Sequence, residues 1–137
     1  MADLLVVDDD IDTAELLADL LVQRGHEVRI ARDGEAGLRE VSRRVPDVVL
    51  LDVELPILDG PGMSYRLLVD DCGLERIPIV LLSGIVGLDR VAARVGTPYF
   101  LAKPYAPSAV VSLCERALAE RIPPTPNRTG GTPRRSR

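Results

Sequence analysis

Three aspartates stand directly after two apolar runs of the chain, where their side chains could act together. Asp8 and Asp9 follow the apolar residues 4–7, and Asp52 follows the apolar residues 48–51. A short apolar run bounded by turn residues is typical of a strand buried on both faces of a parallel sheet. Because ligands of such sheets bind outside the carboxyl ends of the strands, we expect the three carboxylates to meet at one edge. Taken alone, Asp52 would be better explained as a helix cap or a solvated loop acid.

Carboxylates held this close repel one another strongly unless a cation neutralises them. Mg²⁺ is a hard cation that takes oxygen ligands in octahedral geometry and keeps several of its waters. The acidic residues therefore predict a Mg²⁺ site at this edge, together with an anion that the metal would hold.

Two further polar residues follow later apolar runs in the same way. Ser83 comes after residues 79–82, and Lys103 comes after Tyr99–Ala102. The chain has 16 arginines and only this one lysine. A compact ammonium group suits an exchanging phosphoryl oxygen or a carboxylate better than a planar guanidinium does. The lone lysine thus indicates a demanding position, although its location could also arise by chance.

Apolar periodicity divides most of the chain into alternating strands and helices. The predicted strands are residues 4–7, 27–30, 48–51, 79–82 and 99–102. The predicted helices start at Asp10 or Asp12, at Asp33, near residue 62, near residue 89 and at Pro107. Alternation of this kind favours an α/β fold in which helices cover both faces of a parallel sheet, with right-handed crossovers.

Composition narrows the class of protein. At 137 residues, 46% of them hydrophobic, the chain is long enough for one domain with a substantial core. Its apolar stretches fall short of the ~20 residues of a membrane span, and its start does not resemble a signal peptide. Cys72 and Cys114 show no paired spacing. These features predict a cytoplasmic protein with reduced cysteines and no membrane span.

Charge is distributed unevenly along the chain. Residues 121–137 carry five arginines and no acid, so the remaining residues 1–120 carry a net charge of −9 within the total of −4. An acidic domain argues against direct nucleic-acid binding by the folded part. The Pro-, Gly-, Thr- and Arg-rich composition of residues 121–137 predicts a disordered basic tail.

Four motifs together resemble the response-regulator receiver domain of the CheY-like family. They are VVDDD at 6–10, LLDVELPILDG at 50–60, LLSG at 81–84 and LAKPY at 101–105. The resemblance covers about residues 3–120, and we take residues 1–120 as the receiver domain. It implies a flavodoxin-like (βα)5 doubly wound sheet of five parallel strands in the order 2-1-3-4-5. It also implies a two-component phosphorelay function rather than an enzyme acting on a separate substrate.

The resemblance assigns roles to the acidic residues. Asp52 would accept a phosphoryl group from a histidine kinase or a phosphotransfer protein. Asp9 would bind Mg²⁺ directly and Asp8 through water, while Asp52 and the backbone carbonyl of Glu54 would complete the protein ligands. The phosphorylated domain would then bind a downstream protein partner, which the motifs do not specify.

The same resemblance assigns the switching residues. Lys103 would pair with the phosphoryl group, and the Ser83 hydroxyl would hydrogen-bond to it after a short loop movement. The ring of Phe100 would turn inward as Ser83 moves.

Three features depart from the family pattern. The interval between Ser83 and Lys103 is slightly short, so we expect a truncated or loose fourth helix. Phe100 replaces the more common tyrosine and has no hydroxyl group. Ala106 is a poor cap for the last helix, although Pro107 partly compensates for it.

Other classes of function remain open on sequence alone. A degenerate receiver would act as a phosphorylation-independent docking module. Asp52 and Glu54 loosely resemble the acid-x-acid motif of aspartyl-phosphate phosphatases, although that motif ends in aspartate and 137 residues leave no room for a cap domain. A flavin carrier could share the fold, but it would need a phosphate loop that the chain lacks after its first strand.

Overall fold

The computed structural model describes residues 1–52 and 63–125. Within these residues the chain forms five strands that alternate with five helices. The strands are β1 (Asp3–Asp8), β2 (Glu27–Ala31), β3 (Val48–Asp52), β4 (Ile79–Ser83) and β5 (Tyr99–Ala102). The helices are α1 (Ile11–Val22), α2 (Gly34–Arg43), α3 (Met63–Leu74), α4 (Leu88–Val95) and α5 (Pro107–Glu120).

The five strands pair in parallel in the order β2-β1-β3-β4-β5. This order confirms the predicted flavodoxin-like topology. Asp8 and Asp52 pair directly across β1 and β3, and Ser83 pairs with Ala102 across β4 and β5. Asp8, Asp52 and Ser83 are each the last residue of their strand, so they share one edge of the sheet.

The core consists of two aliphatic layers, one on each face of the sheet. Helices α2, α3 and α4 pack on one face, and α1 and α5 pack on the other. Strands β3 and β4 are buried along their whole length. Alternate side chains of a strand point to opposite faces, so the continuous apolar runs in the sequence fill both layers.

Helix ends follow local side-chain chemistry. The Asp10 side chain caps α1 by accepting a hydrogen bond from the Asp12 backbone N–H, at 3.1 Å. Asp33 caps α2 through the Ala36 N–H, at 2.8 Å. As expected, Ala106 provides no side-chain cap for α5. A truncated or loose fourth helix is expected from the sequence, and α4 is short, at eight residues.

The first residues beyond α5 lie against the domain. The Thr125 N–H donates to the Gly96 carbonyl at 3.0 Å, and the Ile122 N–H donates to the Tyr99 hydroxyl at 3.4 Å. Residues 121–125 thus contact the end of α4 and the start of β5, within the segment predicted to be tail. Residues 126–137 of that segment lie outside the described residues, so the boundary at residue 120 stays a prediction.

None of the described helices has the length and apolar character that crossing a bilayer requires.

Candidate functional site

The central contact at the carboxyl edge of the sheet joins Asp52 to Lys103. Asp52 ends β3 and is 1% exposed, whereas Lys103 follows β5 and its side chain is 31% exposed. Lys103 Nζ lies 3.0 Å from Asp52 Oδ1. Since β4 lies between their two strands, the lysine reaches across a neighbouring strand to make this contact. The buried carboxylate is therefore held by a charge-assisted hydrogen bond from a partly accessible cation.

Asp8 lies beside Asp52 on the neighbouring strand and is 2% exposed. Its Oδ1 accepts a hydrogen bond from the Asp10 N–H at 2.9 Å, but its Oδ2 is buried without a hydrogen-bond partner among the described residues. Burial, reinforced by the negative charge of Asp52, raises the pKa of Asp8 to about 7. An unpartnered, buried carboxylate oxygen beside a second carboxylate is a donor set that fits a hard divalent cation.

Asp9 takes a different position from the other two acids. It lies beyond the end of β1 and is exposed, although its charge contributes to the raised pKa of Asp8. Among the described residues, no group of three acidic, histidine or cysteine side chains forms a ready-made metal site. The expected cluster of three carboxylates is therefore a buried pair with an exposed acid nearby. Glu54, the other predicted ligand, lies outside the described residues.

Ser83 ends β4 and is fully buried. Its backbone carbonyl accepts a hydrogen bond from the Lys103 N–H at 2.9 Å, which ties β4 to the residue that contacts Asp52. Its hydroxyl oxygen accepts a hydrogen bond from the Ile85 N–H at 3.1 Å. The hydroxyl thus lies at the same sheet edge as the acidic pair and closes the turn that follows β4.

Phe100 lies in β5, one of the two edge strands of the sheet, and is 39% exposed. Its neighbour Tyr99 is fully buried in the layer formed with α1 and α5. Because neighbouring strand residues point to opposite faces, Phe100 lies on the side of the sheet that α4 covers. The ring at the predicted switch position is therefore partly in solvent.

Tyr105 is a site residue that the sequence reasoning missed. Its hydroxyl lies 3.4 Å from Asp52 Oδ2, a long hydrogen bond, whereas Lys103 Nζ lies 3.0 Å from Oδ1 of the same carboxylate. Burial, together with the nearby charge of Asp52, raises the pKa of Tyr105 to about 12. The tyrosine closes the motif LAKPY, and its place two residues after Lys103 was a usable signal.

The sheet order, the acidic pair and the lysine across from it are features of a receiver fold. The chain belongs to the response regulator receiver domain family, whose model matches residues 4–115. Receiver domains are signalling domains of two-component systems rather than classical enzymes. They generally bind Mg²⁺ in an acidic pocket and interact with histidine kinases or phosphotransfer proteins.

Curated relatives include proteins of different lengths. Protein Rrf1 of Nitratidesulfovibrio vulgaris is 37% identical, and the match covers 94% of each chain. The nitrogen assimilation regulatory protein NtrX of Azorhizobium caulinodans is 32% identical over 85% of this chain. That match covers only 26% of NtrX, so this chain corresponds to about a quarter of that protein.

Solved structures agree with this family assignment. A putative response regulator from Chloroflexus aurantiacus has a TM-score of 0.72 and 34% sequence identity. The match covers 87% of this chain and 98% of that one. The likeness therefore extends over nearly the whole described domain.

Proposed function

We propose that this chain is a phosphorelay response regulator in which Asp52 accepts a phosphoryl group from a histidine kinase or a phosphotransfer protein. The observation that carries the proposal is the buried Asp52 carboxylate, with Lys103 Nζ 3.0 Å from one oxygen and the acidic Asp8 on the adjoining strand. A carboxylate can act as the nucleophile that forms an aspartyl-phosphate. Phosphoryl transfer otherwise depends mainly on positioning and charge neutralisation, which this arrangement favours.

An Asp52 oxygen forms a bond to phosphorus while the bond from phosphorus to the donor nitrogen breaks, and the electron pair of that bond stays on the donor nitrogen. A proton on the other ring nitrogen of the phosphohistidine lets the ring leave as neutral imidazole. Lys103 keeps the carboxylate oriented and offsets the charge of the incoming phosphoryl oxygens. Ser83 supplies a hydroxyl at the same edge that can hydrogen-bond to a phosphoryl oxygen.

Mg²⁺ belongs to the same proposal. Asp8 and Asp52 would hold it, with Asp9 and the Glu54 carbonyl as the further predicted ligands. When bound, Mg²⁺ supplies positive charge against the phosphoryl oxygens and relieves the repulsion between the two buried acids. The unpartnered Oδ2 of Asp8 supports this role, because a buried acceptor oxygen is costly unless something pairs with it.

Switching would follow from the movement of Ser83 and Phe100. When the Ser83 hydroxyl turns to the phosphoryl group, it gives up its hydrogen bond from the Ile85 N–H. The space around the end of β4 then changes, and the partly exposed ring of Phe100 can turn inward. The surface near β5 and α4 would thereby bind a downstream protein partner differently in the two states.

A cytoplasmic location is part of the same proposal.

The alternative of a phosphorylation-independent docking module is less well supported. Such a module does not need an acceptor carboxylate, a neighbouring acid and a lysine on the carboxylate at the same time. The presence of all three favours the phosphorylated switch.

Mass spectrometry after incubation with acetyl phosphate and Mg²⁺ tests the proposal. We expect one added phosphoryl group on the wild type and on Asp89→Asn, which makes the same chemical change at an exposed position of α4. We expect none on Asp52→Asn. Full labelling of Asp52→Asn would overturn the assignment of the acceptor, and a wild type that stays unlabelled would favour the docking module.

A further inference from the structure

Two donors hold the two oxygens of the Asp52 carboxylate. Lys103 Nζ contacts Oδ1 at 3.0 Å, and the Tyr105 hydroxyl contacts Oδ2 at 3.4 Å. The tyrosine ring is half-buried and lines a groove beside Lys103 and Thr13 of α1. In the proposed function Lys103 and Mg²⁺ supply the charge neutralisation, so the phenol hydroxyl is an additional contact to the reacting group.

We propose that Tyr105 shortens the phosphorylated state by stabilising the free carboxylate of Asp52 through this hydrogen bond. The inference deepens the proposed function and depends on it. Its basis is that a hydrogen bond to an ionised acceptor is roughly twice as strong as one to a neutral acceptor. Asp52 carries a full negative charge before phosphorylation, whereas in the acyl phosphate its remaining carbonyl oxygen is neutral.

The two reactions of Asp52 change this charge in opposite directions. With acetyl phosphate as donor, an Asp52 oxygen bonds to phosphorus, the bond from phosphorus to the acetyl oxygen breaks, and the electron pair leaves with acetate. In hydrolysis, a water oxygen bonds to phosphorus, the phosphorus–Asp52 oxygen bond breaks, and its electron pair returns to the carboxylate. The protons of the water remain with the released phosphate and the solvent.

The Tyr105 hydroxyl therefore opposes the first reaction and assists the second. Phosphorylation weakens its hydrogen bond, and hydrolysis restores that bond as charge develops on the leaving carboxylate. Because the contact is long, at 3.4 Å, its effect on each rate is small, on the order of two- to threefold.

The ring of Tyr105 has a separate and opposite effect. It lines the groove beside Lys103, and we expect it to limit the approach of water to a phosphoryl group on Asp52. Removal of the hydroxyl alone should therefore lengthen the phosphorylated state, whereas removal of the whole ring should shorten it.

The experiment compares Tyr105→Phe, Tyr105→Ala and Tyr99→Phe with the wild type at one Mg²⁺ concentration. Tyr99→Phe is the matched control, because it removes a buried phenol hydroxyl that bonds to Glu120 instead of Asp52. Phosphorylation by acetyl phosphate and phosphoryl loss after removal of the donor are each followed by mass spectrometry. Circular dichroism verifies that each variant is folded.

We expect Tyr105→Phe to accept the phosphoryl group about two- to threefold faster and to lose it about two- to threefold more slowly. Tyr105→Ala should lose it faster than the wild type, and Tyr99→Phe should match the wild type in both rates. Wild-type rates in Tyr105→Phe, or a faster loss, would overturn the role of Tyr105 while leaving Asp52 as acceptor. A wild type that accepts no phosphoryl group would overturn the proposed function and this inference together.

Discussion

The hydroxyl oxygen of Ser83 accepts a hydrogen bond from the backbone N–H of Ile85, two residues further along the chain, at 3.1 Å. This bond closes the turn at the end of β4 and fixes the oxygen of the hydroxyl that is expected to reach a phosphoryl group on Asp52. The same residue therefore stabilises the resting turn and, in the proposed switch, moves its hydroxyl out of that turn.

Removal of the Ser83 hydroxyl should affect both states. Ser83→Ala leaves the Ile85 N–H without this acceptor, so we expect the free energy of unfolding to fall by about 1 kcal/mol. The variant should also lose the chemical-shift changes that beryllofluoride, a phosphoryl mimic, causes around β5. Ser83→Thr retains a hydroxyl and should keep the response, so a normal response in Ser83→Ala would exclude a switching role.

The role of Lys103 in switching should depend on the shape of its charged group as well as on its charge. In Lys103→Arg a planar guanidinium replaces the ammonium that lies 3.0 Å from Asp52. We expect phosphorylation of Asp52 to persist while the response to beryllofluoride is lost. Arg90→Lys, on the exposed surface of α4, is the reverse change away from the site and should leave both unchanged. If Lys103→Arg responds normally, positive charge alone is sufficient at this position.

Neutralisation of Asp8 should stabilise the metal-free protein. The buried Asp8 carboxylate lies beside Asp52 with one unpartnered oxygen, so Asp8→Asn removes a repulsion that the fold otherwise carries. At pH 8 with chelator, we expect a higher melting temperature than in the wild type and a loss of the stabilisation that Mg²⁺ gives. Asp9→Asn, at an exposed acid, should raise the metal-free melting temperature less. Unchanged stabilisation by Mg²⁺ in Asp8→Asn would exclude Asp8 as a ligand.

The destabilisation of the metal-free protein by the buried Asp8 carboxylate should depend on pH in a definite direction. Asp8 has a pKa of about 7 in the folded protein, against an ordinary value of 3.8. The folded state thus binds an extra proton between these values, so the metal-free free energy of unfolding should fall as the pH rises from about 4 to 7. For one proton the slope is at most about 1.4 kcal/mol per pH unit. Denaturant titrations with chelator at several pH values give the free energy of unfolding at each pH. This free energy should depend less steeply on pH in Asp8→Asn than in the wild type.

Ile85 should control the lifetime of the phosphoryl group. Its side chain is half-buried against the core layer beneath α4, two residues after Ser83, and it is apolar and branched. It should exclude water from the phosphorus, and exclusion needs less exact geometry than water positioning does. Ile85→Ala and Ile85→Glu should therefore lose the phosphoryl group faster, by roughly two- to tenfold. Val86→Ala, at the fully exposed neighbour, is the control, and equal rates in all variants would show that Ile85 does not limit water access.

The contact between Gly96 and Thr125 should hold residues 121–125 against the domain. Gly96 ends α4 in the left-handed region at φ +80°, and an added Cβ would collide with the backbone of Thr125. Gly25 has a similar φ of +91° but has open space around it. Gly25→Ala should cost about 1 kcal/mol from the backbone conformation alone, and Gly96→Ala should cost more. Amide exchange near Thr125 should rise only in Gly96→Ala, and equal costs would mean that the contact adds no stability.

Much of the fold was predictable because strands buried on both faces leave a distinct pattern. Continuous apolar runs ending in a polar residue located β1, β3, β4 and β5 to within about one residue, and the aspartate at Asp33 correctly marked the start of α2. These signals are local, since a strand needs apolar side chains on both faces and a helix needs a capping acceptor. The family resemblance then supplied the strand order, which the structure confirms.

The sequence by itself determined which residue types stand at the carboxyl edge of the sheet, because the strand ends can be read from neighbouring residues along the chain. Only the tertiary structure decided which of these side chains are buried and which of them contact one another. It buries Asp8 and Asp52 as a pair while Asp9 stays in solvent, and it brings Tyr105 to the second oxygen of Asp52. Such contacts depend on the relative positions of β1, β3 and the segment after β5, which are separated by about 40 to 100 residues. Spacing along the chain carries no information on distances of a few ångströms between them, since these arise from sheet register and packing.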